Sequence, residues 1–322
     1  MTASTKEVAL VVGASRGIGR QIAIDLAKAG YAVVVSSKST SDPSSTSTST
    51  TPFPPDPNST ASTITTVERE IREAGNMATA LRVDTRDYAS IQALVSQTMA
   101  TYGRLDVLVY NSGAIWWAPV AQTPMSRFQL MQRVNIEGLY GVLQACLPHF
   151  KKADDGEEYR GRIVVVSPPI YSRFFRGKTA YAVGKVGMSV LTKGLAMDFR
   201  REGKTRMAIS SLWPATGVQS AATTTTLNLG REEDACDLRT AHIFSDAVLG
   251  VLRSEAEEVN GELLVDEDFL RAKGVRDFDK YSLVPGSRPR RILPRSFPDL
   301  RVEEQDDEGR RVDSTVLRKS KL

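Results

Sequence analysis

The chain has 322 residues, of which 41% are hydrophobic and 25% charged, and its formal net charge is +4. This composition is typical of a globular protein with one large core and excludes a disordered or fibrous chain. No apolar run reaches the roughly 18 to 20 residues that a membrane helix needs, so we expect no membrane span.

The small positive charge does not indicate a nucleic-acid partner. Much of the excess lies in four arginines of a Pro-rich stretch near the C-terminus, Arg288, Arg290, Arg291 and Arg295. The two cysteines, Cys146 and Cys236, lie in apolar helical contexts and are expected to be buried free thiols. The histidines, His149 and His242, have no partners at ligand spacing. We therefore expect neither a nucleic-acid surface nor a metal site.

Short apolar runs rich in β-branched residues alternate with amphipathic helical stretches. They cover residues 8–12, 32–35, 77–83, 105–110, 162–167, 207–213 and 262–265. Parallel strands need a crossover between neighbours and are covered on both faces, which makes them almost continuously hydrophobic. The pattern predicts an α/β fold with a doubly wound parallel sheet of about seven strands, in a single domain over residues 1–285.

The first predicted strand leads directly into the segment GASRGIG. Its glycines permit a tight turn and let backbone and helix approach a pyrophosphate closely. The N-terminus of the following helix, with its positive partial charge, then faces the phosphates. The alternative is a Gly-rich turn without a ligand, which the flanking strand and helix argue against. The predicted dinucleotide-binding residues are Gly13, Ala14, Ser15, Arg16, Gly17, Ile18 and Gly19.

The end of the second predicted strand reads Ser36-Ser37-Lys38. Enzymes that use NAD(H) usually place a carboxylate here, which binds the ribose 2′-hydroxyl. Because that carboxylate is missing, and because Lys38 and Arg16 are cations suited to a 2′-phosphate, the sequence favours NADP(H). The alternative for Lys38 is a solvated loop lysine.

Two segments have the composition of chain that does not pack. Residues 39–63 are almost all Ser, Thr, Pro and Asp, which predicts a flexible surface insertion. From residue 286 onward, Pro and Arg give way to an acidic stretch without apolar periodicity, so we expect residues 286–322 to form a disordered tail. The sequence ends in Ser320, Lys321 and Leu322, the tripeptide that a peroxisomal import receptor binds. We therefore expect a peroxisomal protein.

Tyr181 and Lys185 lie four residues apart near the start of another helical stretch. At this spacing the side chains share one helix face. A lysine ammonium there lowers the pKa of a phenol from about 10 toward the working range, so that Tyr181 becomes a general acid or base. The alternative is an exposed helical pair with no role, against which the dinucleotide loop upstream argues.

Taken together, these features resemble the short-chain dehydrogenase/reductase family over nearly the whole of residues 8–266. The matching segments are GASRGIG, Asp84 after the third strand, Tyr110-Asn111-Ser112-Gly113, Val134-Asn135, and Tyr181-Ala182-Val183-Gly184-Lys185. The runs VVVSPP, LWPAT and GELLVDEDFL narrow the resemblance to one group within the family. The resemblance implies a Rossmann fold and a nicotinamide cofactor.

It also implies roles for single residues. Lys185 is expected to bind the nicotinamide ribose, and Asn135 to position water in a proton relay. Asn111 is expected to line the cofactor floor, and Asp84 to lie near the adenine. The family places its substrate lid at residues 215–228.

One position departs from the family pattern. The family has a serine about a dozen residues before the tyrosine, which polarises the substrate carbonyl, and this place falls on Pro168. Proline cannot donate a hydrogen bond, but a turn at Pro168-Pro169 would bring Ser167 inward. Ser167 is therefore the candidate donor, and loss of one such donor typically costs about 10²- to 10³-fold in rate.

The sequence thus predicts a peroxisomal, NADP(H)-dependent oxidoreductase that interconverts a carbonyl and a secondary alcohol on a lipid-like substrate. One alternative is reduction of an enoyl thioester, for which a tyrosine proton donor is dispensable. Another is a cofactor-binding protein with little or no catalysis, for which Pro168 is the argument. Small and apolar residues on the helix at 177–200 suit close helix packing, so we expect a homo-oligomer, either a dimer or a tetramer.

Overall fold

A seven-stranded parallel sheet forms the centre of the computed structural model, which describes residues 6–41, 53–150, 160–170, 177–223 and 232–299. Its strands are β1 (Val8–Val12), β2 (Ala32–Ser37), β3 (Ala78–Arg82), β4 (Val107–Tyr110), β5 (Gly161–Val166), β6 (Met207–Trp213) and β9 (Leu263–Val265). All predicted strands are present, with bounds that agree to within two residues. Two shorter strands, β7 (Gly217–Val218) and β8 (Leu238–Arg239), pair separately and were not predicted.

Helices connect the strands and cover the sheet. They are α1 (Gly17–Lys28), α2 (Ile64–Glu73), α3 (Tyr88–Tyr102), α4 (Met125–Gln132), α5 (Gly138–Cys146), α6 (Thr179–Arg201), α7 (Glu232–Ala235), α8 (His242–Arg253), α9 (Ala256–Val259) and α10 (Asp266–Ala272). A π-helical turn, Arg133–Glu137, joins α4 to α5. Across the described residues, none of these helices has the length and apolar character that crossing a membrane requires.

The strand order is β3-β2-β1-β4-β5-β6-β9, and every neighbouring pair is parallel. The winding of the sheet therefore reverses between β1 and β4. Open α/β sheets bind ligands in the crevice outside the carboxyl ends of the two strands at such a reversal. The predicted doubly wound sheet is confirmed, and its topology specifies where a ligand would lie.

Helices bury both faces of the sheet. Alternate strand residues point to opposite faces, so Val11 packs in one cluster with Ile22 of α1 and Phe244 of α8. Leu10 of the same strand packs in a second cluster with Leu139 of α5. This double burial explains why the strands read as continuous apolar runs.

The described half of the predicted flexible insertion contacts the domain. The Gly17 amide donates to the Pro57 carbonyl at 2.9 Å, and the Ser62 hydroxyl donates to the Ser15 carbonyl at 2.6 Å. Thr63 caps α2 in a reciprocal arrangement with Thr66. Residues 53–63 therefore lie against the predicted dinucleotide loop, while residues 42–52 lie outside the described part of the chain.

The domain extends beyond the predicted boundary at residue 285. Arg291 donates to both oxygens of Asp268 at 2.7 and 2.6 Å, and the Ile292 amide donates to the Ala215 carbonyl at 2.8 Å. Leu293 is buried. Residues 291–293 are thus held on the domain by an ion pair, a backbone hydrogen bond and a buried apolar side chain, which composition alone did not reveal. Residues 300–322, with the final tripeptide, lie outside the described residues.

The two cysteines differ in exposure. Cys146 is buried, as predicted, whereas Cys236 is exposed, which corrects the prediction. The error arose because Cys236 follows α7, a helix of only four residues whose sequence, Glu232–Ala235, has one apolar side chain.

Gly13 lies at the point where β1 and β4 approach. The amides of Asn111 and Ser112 both donate to the Val12 carbonyl, at 2.8 and 2.9 Å. Gly13 has φ +91°, and a Cβ atom there would lie 2.5 Å from the Ser112 amide nitrogen. A side chain would therefore force β4 away from β1.

We predict that Gly13→Ala destabilises the protein far more than Gly30→Ala. Gly30 also has positive φ, +105°, but nothing lies within 4 Å of the place that a Cβ atom would take there. Gly30→Ala should cost about 1–2 kcal/mol of unfolding free energy from backbone strain, and Gly13→Ala about 1–3 kcal/mol more from the steric clash. Urea denaturation of both variants measures the difference. Equal losses would show that β1 and β4 do not approach this closely.

Candidate active site

A cavity of about 760 Å³ opens at the carboxyl ends of β1, β4, β5 and β6. Its floor contains Gly13 after β1, Asn111 after β4 and Val166 at the end of β5. This volume lies in the usual range of cofactor and small-molecule sites, roughly 300–1,000 Å³. The cavity occupies the crevice that the sheet topology predicts.

The predicted dinucleotide loop forms one end of the cavity. Its lining residues there are Gly13, Ser15, Arg16, Gly17 and Ile18. Ala14 is buried beneath them. Gly19 lies directly against the loop, because a Cβ atom there would overlap the Gly13 carbonyl oxygen. That oxygen also accepts a hydrogen bond of 2.8 Å from the Asn111 amide group.

This loop fits the phosphates of a dinucleotide. Arg16 precedes the first residue of α1 and forms no ion pair with any described residue, and the first turn of α1 carries no acidic residue. The N-terminus of α1 therefore directs its positive partial charge toward the cavity, and Arg16 adds the charge of its guanidinium. At the glycines the cavity is lined by backbone atoms and not by side chains.

Three charged residues lie at the end of β2 and β3. Lys38 and Asp84, both predicted, line the cavity with their charged atoms 3.5 Å apart. Arg86, which was not predicted, donates to both Asp84 oxygens at 2.8 and 2.5 Å. Its hydrogen bonds hold the pKa of Asp84 well below the usual range, with a smaller effect from the charge of Lys38. Asp84 therefore stays ionised and orients the side chains of Arg86 and Lys38.

Tyr181 and Lys185 both line the cavity and are 6% and 3% exposed. The Lys185 side chain donates to the Val166 carbonyl at 2.8 Å. Burial raises the pKa of Tyr181 and lowers that of Lys185 to about 7. The prediction that Lys185 lowers the pKa of Tyr181 is therefore wrong for the protein alone. Removal from water disfavours both the tyrosinate and the lysine ammonium.

Asn135 is fully buried within the π-helical turn. Its side-chain oxygen accepts from the Ala114 amide at 2.8 Å, and its nitrogen donates to the Ala114 carbonyl at 3.1 Å. A Cβ atom at Gly113 would lie 3.4 Å from Lys185 Nζ and 3.5 Å from Asn135 Oδ1. Asn135 therefore positions the segment after β4 beside Lys185, and a role in a water relay stays a prediction.

Ser167 is not brought to the cavity. It is fully buried, and Ser189 Oγ lies 2.9 Å from its hydroxyl and 2.6 Å from the Pro168 carbonyl oxygen. Val166 lines the cavity and Ser167 does not, because successive residues at a strand end face opposite sides. The prediction that Ser167 replaces the family serine is therefore corrected: its hydroxyl is held against α6.

Apolar walls not predicted from the sequence enclose the end of the cavity around Tyr181. Trp117 lies with its ring centroid 6.3 Å from that of Tyr181. Trp213 follows on β6, and Ile292 and Leu293 contribute from the packed C-terminal segment. The adjacent tryptophans at 116 and 117 could have been recognised in the sequence as part of an apolar wall. Nothing in the composition indicated that residues 292–293 line the cavity. Of the expected lid, residues 215–223 are described and residues 224–228 lie outside the described part.

A buried carboxyl group holds the start of the segment 215–223. Asp266 Oδ1 accepts from the amides of Ala215 and Glu267 at 2.8 and 2.7 Å. Burial is the main cause that raises the pKa of Asp266 to about 7, opposed by these two hydrogen bonds. Because the Ala215 carbonyl accepts from Ile292, Asp266 also supports the C-terminal wall of the cavity.

Comparison with known sequences agrees with the family resemblance seen in the sequence motifs. The sequence profile described as short chain dehydrogenase matches residues 7–51 and 58–227. Hydroxysteroid dehydrogenase-like protein 2 of Danio rerio is 34% identical over 296 residues, which are 91% of this chain and 64% of that protein. The human protein of the same name is 32% identical over 278 residues, 86% of this chain and 60% of that protein. The chain thus matches somewhat under two thirds of these relatives' length.

Solved structures agree with this match. A short chain dehydrogenase from Mycobacterium thermoresistibile superposes with a TM-score of 0.74 at 32% sequence identity. The superposition covers 89% of this chain and 94% of that protein. The similarity therefore extends over most of the chain.

We predict that Asp266→Asn removes a pH dependence of stability. The folded protein binds the Asp266 proton more tightly than the unfolded chain, because the pKa is about 7 instead of 3.8. This contribution is fully present below about pH 4 and is lost as the pH rises to about 7. The difference in unfolding free energy between wild type and Asp266→Asn should therefore fall by up to a few kcal/mol over this window. Parallel urea-denaturation profiles from pH 4 to 7.5 would contradict the assignment.

Proposed function

Since the chain belongs to the short-chain dehydrogenase/reductase family, whose cofactor is a nicotinamide dinucleotide, we propose that it is an NADP(H)-dependent oxidoreductase. Its reaction would interconvert a carbonyl and a secondary alcohol on a lipid-like substrate. The observation that carries this proposal is the burial of Tyr181 and Lys185 together in the cavity that the glycine loop lines.

In this proposal each group has one task. A nicotinamide held there would supply the hydride in reduction and accept it in oxidation. The glycine loop and Asn111 would hold the dinucleotide, and Lys38 and Arg16 would hold its 2′-phosphate. The Tyr181 hydroxyl donates a proton to the carbonyl oxygen as it gains charge, and the reverse reaction returns the proton to Tyr181. A charged Lys185 offsets the burial that keeps the Tyr181 proton bound.

The preference for NADP(H) rests on the charges near the end of β2. Lys38, Arg86 and Arg16 line this end of the cavity, where Asp84 is the acidic residue among the described lining. Asp84 already accepts from Arg86 and lies within ion-pair distance of Lys38. The local charge is therefore positive, which favours the additional phosphate of NADP(H).

The lipid-like character of the substrate is supported by the walls around Tyr181. Trp117, Trp213, Ile292 and Leu293 present apolar surface there. The names of the relatives refer to hydroxysteroid dehydrogenases, which is consistent with an apolar substrate carrying a hydroxyl group. We further propose a peroxisomal location, supported by Ser320, Lys321 and Leu322 and the import receptor that binds this tripeptide.

We also propose a homo-oligomer that associates through α6. Its outer face carries Val183, Val190 and Met197, which are 52%, 57% and 44% exposed and recur every seven residues. Exposed apolar faces of this kind mark association surfaces. Ala180 and Gly184, two small residues of the same helix, are buried within the domain.

A cofactor-binding protein with little catalysis is the second candidate. The position of Ser167 favours this candidate. Its hydroxyl was expected to stabilise the developing oxyanion, but Ser189 holds it away from the cavity. Removal of such a donor costs about 10²- to 10³-fold in typical enzymes. This candidate predicts NADPH binding without turnover on ketones or acyl thioesters.

Tyr181→Phe should abolish most ketone reduction. The substitution removes the proton donor and keeps the ring, so kcat should fall by about 10²- to 10⁴-fold, while NADPH affinity measured by fluorescence changes little. Tyr140→Phe is the matched control, because Tyr140 is 60% exposed on α5 and does not line the cavity. Turnover that survives in Tyr181→Phe would exclude the carbonyl mechanism and favour enoyl thioester reduction.

Lys38→Glu should reverse the cofactor preference. A carboxylate at this place repels the 2′-phosphate and accepts from a 2′-hydroxyl. We expect NADPH affinity to fall by about 10- to 100-fold and NADH affinity to hold or rise, as measured by fluorescence titration. Lys28→Glu changes the same charge on the exposed end of α1 and should alter neither affinity. A wild type that binds NADH more tightly than NADPH would refute the NADP(H) assignment.

A further inference from the structure

Residues 53–63, which we name the clasp segment, are anchored on α2 at both ends. At one end the Arg69 guanidinium of α2 lies over the Phe53 ring, 3.9 Å from its centroid. At the other end Thr63 caps the N-terminus of α2. Residues 52–57 interrupt the match to the short chain dehydrogenase profile. Part of the clasp segment is therefore additional to the family pattern, and it is packed on the domain.

The Ser62 hydroxyl holds one peptide group of the dinucleotide loop. It donates to the Ser15 carbonyl oxygen at 2.6 Å, and Ser62 is 1% exposed. A trans peptide group is planar, so its C=O and N–H bonds point in opposite directions. Because the Ser15 carbonyl points to Ser62, the Arg16 amide of the same peptide group points away from Ser62. Ser15 and Arg16 both line the cavity, whereas Ser62 does not.

The Pro57 carbonyl accepts from the first amide of α1. The first four amides of an α-helix have no acceptor within the helix, and such amides are the donors that bind phosphates. Gly17 is the first residue of α1, and its amide donates to the Pro57 carbonyl at 2.9 Å. This contact assigns the Gly17 amide to the protein. A bound phosphate would therefore be held by the amides that follow, those of Ile18 and Gly19.

The dinucleotide loop is also enclosed from two sides at Gly17. A Cβ atom at this residue would lie 3.6 Å from Asn58 Oδ1, on the clasp segment, and 3.3 Å from Ser220 Cβ, which lines the cavity. The clasp segment and the segment that follows β7 therefore both contact the start of α1. A change in the loop would have to displace one of them.

We propose that the clasp segment pre-orients the dinucleotide loop for the pyrophosphate of the cofactor, with Ser62 as the positioning residue. This rests on the proposed function, since it takes the dinucleotide loop as the cofactor site. Ser62 turns the Ser15 carbonyl oxygen, which would repel a phosphate, away from the cavity and presents the Arg16 amide instead. Because the orientation exists before the cofactor binds, binding does not have to order the loop, and the affinity is higher.

Ser62→Ala tests the positioning role, and Ser254→Ala is the matched control. Ser254 is 7% exposed, and its hydroxyl donates to the Gly250 carbonyl at 3.1 Å, at the end of α8 and outside the cavity lining. In fluorescence titration Ser62→Ala should bind NADPH about 3- to 10-fold more weakly than wild type, which corresponds to one hydrogen bond. Ser254→Ala should bind NADPH as wild type does, and Ser62→Thr, which keeps the hydroxyl, should restore the affinity.

Two further ligands separate this inference from the proposed function. ADP has a pyrophosphate and neither nicotinamide nor 2′-phosphate, and adenosine 2′-phosphate has no pyrophosphate. In calorimetric titration Ser62→Ala should lose affinity for ADP by the same factor as for NADPH and bind adenosine 2′-phosphate as wild type does. This pattern without NADPH-dependent turnover would overturn the proposed reaction and support the clasp segment's role. Equal ADP affinity of wild type and Ser62→Ala, or an equal loss for adenosine 2′-phosphate, would overturn that role.

Discussion

A buried hydrogen bond from Lys185 to the Val166 carbonyl, 2.8 Å long, connects α6 to the end of β5. Lys185 is 3% exposed, so its nitrogen has little access to water and must find its partner within the protein. The bond fixes the rotation of α6 about its axis, and Tyr181, one turn earlier, is thereby directed into the cavity. Asn135 completes the arrangement by holding the backbone of Ala114, next to Gly113 and Lys185.

Burial also decides the charges at this site. It opposes ionisation of Tyr181 and protonation of Lys185, and it raises the pKa of Asp266, which accepts from the Ala215 amide, to about 7. Asp84 is the opposite case, since Arg86 keeps it ionised at the more exposed end of the cavity. The cavity therefore combines an open, charged end at the glycine loop with an enclosed, apolar end at Tyr181.

Local sequence signals predicted most of this arrangement. The strands followed from continuous apolar runs, the loop at Gly13 from glycine spacing, and the shared face of Tyr181 and Lys185 from helical periodicity. What the sequence did not reveal depends on contacts between distant segments. The orientation of Ser167 depends on Ser189, 22 residues later, and the packing of Ile292 depends on Ala215. The direction of the Tyr181 pKa depends on burial, which motif spacing does not report.

The account depends most on Lys185 being enclosed with Tyr181 and removed from water. The side-chain ¹⁵Nζ or ¹³Cε resonance of Lys185, assigned by comparison with Lys185→Met, reports this directly in a pH titration. The account predicts a midpoint near pH 7, where burial places the pKa of Lys185. A midpoint near 10.5, the value of a solvated lysine, would contradict it.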